Sequence, residues 1–450
     1  MRRFLTVGII LLAFLAYFSL PTSLEESARR MAFIFVIGAL FWAFEILPLF
    51  ATALVVVLLE TFLLLLTPGH LGASKPDFGL FLSPFSHPVI MLFFGGFVLA
   101  RTYEKFSIDK QIAGLLMERF GNQSFPTMLG FMTATAFLSM WLSNTATTAL
   151  MLAMIRPVLS SLPARDNLRK AFVLSIPFAA NLGGIATPVG SPPNAIAMGL
   201  LAEKGLRLDF ISWMALALPL ALFLIVLMCF LIHRLFASPT REILFPRNRD
   251  FVWDRDRIFV LVISAVTFFL WLTSHWHGIP EGVVALLGVV LLVFFGLVGR
   301  GDINRIHWDI LILMWGGLSL GLGMEKSGLV KWIISWPIFE LQGFGLLLVL
   351  CLLTVFLSTF VSNTATVTLI LPVALSLPGA NPVLIAFLVA LSSSFDFPLP
   401  ISTPPMAMAY ATREIQVRDM LWAGIWFTLL SNVLLLGMIY FLFPIFGIAL

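Results

Sequence analysis

Residues 138–152 read LSMWLSNTATTALML, and residues 357–371 read LSTFVSNTATVTLIL. Each places Ser-Asn-Thr between two apolar arms: Ser143-Asn144-Thr145 in the first, Ser362-Asn363-Thr364 in the second. Asn sits poorly in a helix interior but well at an N-cap or turn. The pattern therefore predicts two helical arms meeting at a polar tip. The second arm's helix starts there, presenting free N–H groups and a positive dipole end to an anion. The first arm ends there, leaving carbonyls that suit a hard cation such as Na+. One such triplet is ordinarily glue between helices; two at matched positions point to a site.

The chain around them has 450 residues, 60% hydrophobic and 11% charged, with mean hydropathy +1.02. Soluble domains carry about 25% charge, and one this apolar would expose too much hydrophobic surface. A soluble enzyme, a nucleic-acid-binding module, a disordered chain and a disulfide scaffold are excluded. Continuous apolar runs, without alternation, also set aside a transmembrane β-barrel. The sequence predicts an all-α polytopic membrane protein with about eleven transmembrane helices. These lie near 4–20, 30–47, 49–67, 87–103, 171–202, 210–233, 257–274, 281–299, 307–324, 381–411 and 420–447. Stretches 125–162 and 343–377 exceed one helix and carry the polar tips mid-length. Ile108–Phe120 reads as an interfacial amphipathic helix.

Of 27 Lys and Arg, 20 fall on the cytoplasmic side of this map and seven outside. That bias holds only if both broken stretches enter and leave on one side, as re-entrant hairpins. It places the N-terminus in the cytoplasm and the C-terminus outside. No clear cleavage site follows the first apolar run, so a retained first helix is expected. Cys229 and Cys351 lie in apolar runs, and His275 and His277 in a short loop; neither pair has metal spacing.

Three pairs of segments match in order at nearly one offset. Gly95-Gly96 matches Gly316-Gly317, the two Ser-Asn-Thr tips match, and Ser191-Pro192-Pro193 matches Thr403-Pro404-Pro405. The chain thus divides into an N-terminal helix and loop (1–29), a first repeat (30–250; hairpin 125–162, broken helix 171–202) and a second (251–450; hairpin 343–377, broken helix 381–411). Five spans and a hairpin per repeat make the second inverted relative to the first. Inverted repeats with broken helices are the architecture of secondary transporters.

Asn181–Asn194 and Phe397–Met406 are dense in Gly, Thr, Ser and Pro. Irregular backbone at membrane depth is tolerated only where it lines protein or a polar cavity. None of the four motifs contains Lys or Arg. An anion bound there would need hydroxyls, amides, N–H groups and co-bound cations, which argues for cation coupling.

These motifs, with His87–Gly96 and Trp308–Gly317, resemble the divalent anion:sodium symporter family, the sodium/dicarboxylate and sodium/sulfate cotransporter group, from about residue 30 onward. The resemblance implies a homodimer in which a transport domain moves against a fixed scaffold as an elevator. It implies substrate contacts from Asn144, Thr145, Ser362, Asn363, Thr364, Thr403 and Pro404. It implies one sodium site at Ser139, Ser143, Asn144 and Gly190, and another at Ser358, Val361, Asn363 and Ser402, Val361 by its backbone carbonyl. No cofactor is implied beyond Na+ as coupling ion.

The chain departs from the family pattern at Met406, where Asn is usual, at Asp396 and Pro398, in a normally apolar stretch, and at Arg413, where glycine is common. Asp396, inside an apolar span, is a candidate for proton or cation modulation. Glu45 and Glu60 also fall within the membrane on this map; Glu45 resembles a scaffold feature. Function reads as sodium-coupled symport of a small divalent anion, a dicarboxylate foremost, across the cell or inner membrane. The alternatives are a sodium-independent dicarboxylate exchanger, a sulfate or other inorganic-anion symporter of the same fold, and, distantly, a membrane-embedded enzyme, for which Asp396 has no evident catalytic partner.

Overall fold

Where the helices begin follows from single side chains. Asp166, Asp209, Asp254 and Asn381 each accept a hydrogen bond from a backbone N–H of the first turn they precede, as do Ser143, Ser362 and Thr403. The computed structural model describes residues 2–66, 71, 76–240, 242–243, 253–336, 341–377, 381–441 and 443–446. The repeat boundary expected between residues 250 and 251 and the last four residues lie outside these. Among the described residues all regular structure is helical, apart from an isolated bridge between Gln123 and Glu242.

The α-helices of the first part of the chain are α1 (Arg2–Ser19), α2 (Glu26–Ala43), α3 (Leu49–Glu60), α4 (Gly79–Leu82), α5 (Pro88–Lys105) and α6 (Ile108–Met117). There follow α7 (Ser124–Ser139), α8 (Asn144–Met154), α9 (Arg156–Ser161), α10 (Asn167–Ile185), α11 (Pro192–Glu203) and α12 (Phe210–Leu235). The later ones are α13 (Arg255–Leu272), α14 (Ser274–His277), α15 (Glu281–Phe294), α16 (Arg300–Ile303), α17 (Trp308–Lys326) and α18 (Leu329–Ile334). The last are α19 (Gly343–Phe360), α20 (Asn363–Ala374), α21 (Pro382–Ser393), α22 (Pro404–Ala411) and α23 (Val417–Phe441).

By length and composition, four helical stretches among the described residues could cross a membrane alone: Gly79–Lys105, Phe210–Leu235, Gly343–Phe360 and Val417–Phe441. Apolar helices such as Glu281–Phe294, Asn363–Ala374 and Pro382–Ser393 are shorter, and segments 171–202 and 381–411 are each split in two by an irregular turn. The outer helices carry apolar side chains outward: Phe18 is 70% exposed, Phe269 63% and Val433 64%. Such faces belong against lipid. By contrast α10 is buried on all sides from Ala171 to Ile185, so it sits at the centre of the packing.

Two close contacts tie the early helices to the late ones. A Cβ on Gly95 of α5 would lie 2.5 Å from Ala285 Cβ of α15. A Cβ on Gly316 of α17 would lie 2.4 Å from Ala53 Cβ of α3. These are the first residues of the matched Gly-Gly pairs, and only glycine lets the helices approach this closely. On another face, Arg169 of α10 holds Glu414 through two bonds of 2.6 and 2.8 Å, and Lys170 holds Asp419 at 3.0 Å. The Arg169 guanidinium keeps the Glu414 carboxyl below the usual carboxylate range.

Two expectations about acidic residues need correction or detail. Glu45 is exposed, in a left-handed turn (φ 46°) after α2 ends, rather than within a helix. The chain reverses there to reach Pro48 and the start of α3. Glu60 is fully buried at the end of α3, where a π-helical turn (Thr61–Leu65) begins, and accepts a hydrogen bond from Ser319 of α17. Arg413 also adopts a left-handed conformation (φ 63°), which gives a physical reason for glycine at such a position.

Candidate functional site

The two Ser-Asn-Thr segments build the same local structure. α7 ends at Ser139 and α8 starts at Asn144; the Ser143 hydroxyl caps α8 by accepting from Ala146 N at 3.2 Å. α19 ends at Phe360 and α20 starts at Asn363; the Ser362 hydroxyl accepts from Ala365 N at 3.3 Å. Ser139 Oγ donates to Asn144 Oδ1 at 2.6 Å, and Ser358 Oγ lies 3.1 Å from Asn363 Oδ1. In each case a serine of the first arm fixes the asparagine that opens the second, five residues on.

The two irregular turns sit beside these tips. Between α10 and α11, Thr187 Oγ1 donates to Met140 O at 2.5 Å and accepts from Gly190 N at 3.1 Å. Asn194 Nδ2 donates to Gly184 O at 2.9 Å and Thr187 O at 2.8 Å. α10 comes so close to the first tip that a Cβ on Gly184 would lie 2.5 Å from Asn144 Oδ1. Between α21 and α22, Ser402 Oγ reaches Asp396 O and Leu399 O, both at 2.8 Å, and Thr403 caps α22 through Met406 N at 3.4 Å. Met406 is fully buried; where Asn194 stitches its turn together, Met406 packs.

All four segments face one cavity of about 410 Å³. Ser143, Asn144, Thr145, Gly190, Ser362, Asn363, Thr364, Ser402, Thr403 and Pro404 line it. Four helices, α8, α11, α20 and α22, begin at its wall, so their dipole ends converge there; α8 and α20 also bring the N–H groups of their first turns, whereas α11 and α22 open on Pro-Pro. The facing wall is mostly apolar: Leu49 and Phe50 of α3, Phe93 and Phe97 of α5, Ile310 and Leu313 of α17. Among the described residues no Lys, Arg or His lines the cavity, and Asp309 is the one ionisable residue that does.

Four expected residues stand back from this surface. Ser139 and Ser358 are buried one layer behind, bonded to the asparagines. Asp396 is fully buried in the turn between α21 and α22, outside any helix, and does not line the cavity. The Val361 side chain lines a separate apolar groove against α2 and α18. Asn181, Asp309 and the phenylalanine wall line the cavity without having been assigned a role from the sequence. A phenylalanine facing a cavity reads like one facing lipid, so no pattern marks it.

The arrangement can hold an anion by hydroxyls, amides and helix N-termini. Oxygen atoms behind the tips fit a hard cation: Asn144 Oδ1 lies with Ser139 Oγ at the first, and Asn363 Oδ1 with Ser358 Oγ at the second. Among the described residues no group of three or more His, Cys, Asp or Glu is placed to hold a metal.

Comparison with known proteins agrees with this architecture. Residues 1–448 match the family model described as sodium:sulfate symporter transmembrane region. The sodium-dependent dicarboxylate transporter SdcS of Staphylococcus saprophyticus is 29% identical over 94% of this chain and 88% of its own length. The protein of that name from Staphylococcus aureus is 28% identical over 90% and 84%. Among solved structures, the YdaH transporter of Alcanivorax borkumensis matches with TM-score 0.57 and 15% identity, over 88% of this chain and 98% of that one. The last likeness concerns the fold alone.

Proposed function

This chain belongs to the sodium:sulfate symporter transmembrane-region family and is an integral membrane transporter rather than an enzyme; from that premise we propose that it couples uptake of a small dicarboxylate to Na+. The observation that carries this reading is the shared cavity, where both tips and both Ser/Thr-Pro-Pro turns meet with no Lys, Arg or His among the described lining residues.

The carboxylates of the substrate are received by Asn144, Thr145, Ser362, Asn363, Thr364, Thr403, the N–H groups that open α8 and α20, and packing against Pro404. Helix dipole ends and neutral donors attract an anion but leave most of its charge uncompensated. Na+ supplies the remainder. One ion is held by Ser139, Ser143, Asn144 and Gly190, the other by Ser358, Val361, Asn363 and Ser402. Two Na+ with a dianion make a neutral load, which lowers the cost of crossing a low-dielectric layer.

The cavity's two unlike walls suit an elevator. The tips and turns form the polar side, knitted together by bonds such as Thr187 to Met140 and Arg169 to Glu414. The opposing phenylalanines offer no hydrogen bonds to break as the polar side slides past. On the positive-inside map the cavity's Pro48 and Asp309 ends lie toward the cytoplasm, so the cavity opens inward. The same map places the N-terminus inside and the C-terminus outside, and the fixed wall forms the contact of a homodimer.

The test is uptake of labelled dicarboxylate into protein-loaded vesicles under an inward Na+ gradient, compared with K+ and with sulfate as competitor. Stimulation by Na+ alone is expected. Full counterflow without Na+ would assign exchange instead, and competition by sulfate but not by dicarboxylates would assign inorganic-anion symport.

A further inference from the structure

The two tips differ by one charge. Behind the first, Thr187 and Asn194 satisfy the irregular turn with bonds to four backbone groups. Behind the second, the corresponding turn holds Asp396, with 0% exposure. Its carboxyl lies beside the Asn363 amide and the Ser358 hydroxyl, yet neither carboxyl oxygen has a hydrogen-bond partner among the described residues. Ser358 is engaged elsewhere, its Oγ lying 2.5 Å from Ser393 O. Ser402 holds the Asp396 backbone carbonyl, not the side chain. Pro398 is pressed against α23, where a Cβ on Gly424 would lie 2.4 Å from its Cα, so the segment is wedged in place.

No Lys, Arg or His occurs in α19, α20, α21, α22 or the turn between them. A buried carboxyl with no ion pair and no hydrogen bond among the described residues is an incomplete arrangement. Around it stand the Ser358 hydroxyl, the Asn363 amide and, bonded to that hydroxyl, the Ser393 carbonyl. That donor set is the kind taken by a hard monovalent or divalent cation.

We propose that Asp396 is a direct ligand of a sodium ion at the second tip. The inference rests on the sodium-coupled reading above. It adds a formal negative charge to a site otherwise built of neutral oxygens. A bare carboxylate crosses a bilayer interior at high cost. The ion at this tip therefore offsets that charge when the tip crosses.

The test is a sodium titration of the purified full-length protein without dicarboxylate, with choline replacing Na+ at constant ionic strength, read as the thermal melting midpoint. The wild type is expected to show a saturable rise with Na+. Asp396→Asn, and Asp396→Ser as a second variant should the first fold poorly, are expected to need at least ten-fold more Na+ for half the rise, about 1.4 kcal/mol. Asn144→Ala, at the first tip, is expected to keep the Asp396-dependent response. A titration of Asp396→Asn within two-fold of wild type overturns the assignment while leaving sodium coupling intact. No response to Na+ in any of these proteins overturns both.

Discussion

Replacing Gly184 by alanine tests the site at its tightest point. The new Cβ would lie 2.5 Å from Asn144 Oδ1 and 2.8 Å from its Nδ2. Ordinary contact begins at 3.4 Å, so the amide must retreat by roughly 0.9 Å. Retreat strains the 2.6 Å bond from Ser139 and shifts a group proposed to touch both substrate and cation. Overpacking of this kind costs about 1–3 kcal/mol, and displacement of a positioning group by about 1 Å costs on the order of 100-fold in rate. Uptake into vesicles and thermal melting of the purified protein measure the two effects. The decisive comparison is a double-mutant cycle with Asn144→Ala, which deletes the atoms that clash. Read by thermal melting, Gly184→Ala in that background should cost about 1–2 kcal/mol less than alone. Gly183→Ala serves as contrast: its Cβ meets the backbone of Ala136, an obstacle that no truncation at Asn144 removes. Wild-type uptake and melting in Gly184→Ala, or an equal loss in both backgrounds, would refute the proposed packing of tip on helix.

Asn144→Ala and Asn363→Ala are each expected to abolish uptake while circular dichroism and gel filtration stay at wild type; retained uptake in either would remove that asparagine from the site. Thr187→Val loses the bond to Met140 O and the acceptor of Gly190 N, and should destabilise by about 1–3 kcal/mol in thermal melts; a neutral result would mean the turn is held by packing alone. Because the folded protein depresses the Glu414 carboxyl below its ordinary value, the Arg169–Glu414 pair stabilises at pH above that ordinary value. The contribution fades as pH falls through the depressed value, so melting midpoints of wild type and Glu414→Gln should converge in acid and separate toward neutrality. Parallel curves across that window would show the pair to be inert.

Much of the site was readable because the chemistry that stops a helix is written in residue type. Ser143 and Ser362 cap the next helix, and Pro192 and Pro404 open theirs, for reasons local to a few residues. What these segments face was not readable in that way. Thr187 reaches Met140 across 47 positions, a pairing set by packing. The phenylalanines of the opposite wall follow the periodicity of any membrane helix. Ser139 and Ser358 were picked out by resemblance, and their place behind the asparagines depends on where α7 and α19 end. Glu45 went astray because hydropathy alone does not show that the chain turns back before Pro48. Met406 is clear in hindsight: the asparagine it stands for in the first half binds its own turn's carbonyls rather than the cavity.

The glycine contacts have a consequence for how the protein is made. α3 waits for α17, and α5 waits for α15, because Ala53 and Gly95 find Gly316 and Ala285 only when the later helices exist. Those partners lie 263 and 190 residues further along the chain. At the ribosome's pace of about 5–20 residues per second, the early helices stand in the bilayer for roughly 10–50 seconds with their closest-packing faces open. During that interval lipid, or a helper protein, must occupy grooves that the finished molecule closes on itself. Assembly is thus timed by helices made after residue 280, and a ribosome stalled after residue 250 leaves a piece whose tightest seams have nothing to close against.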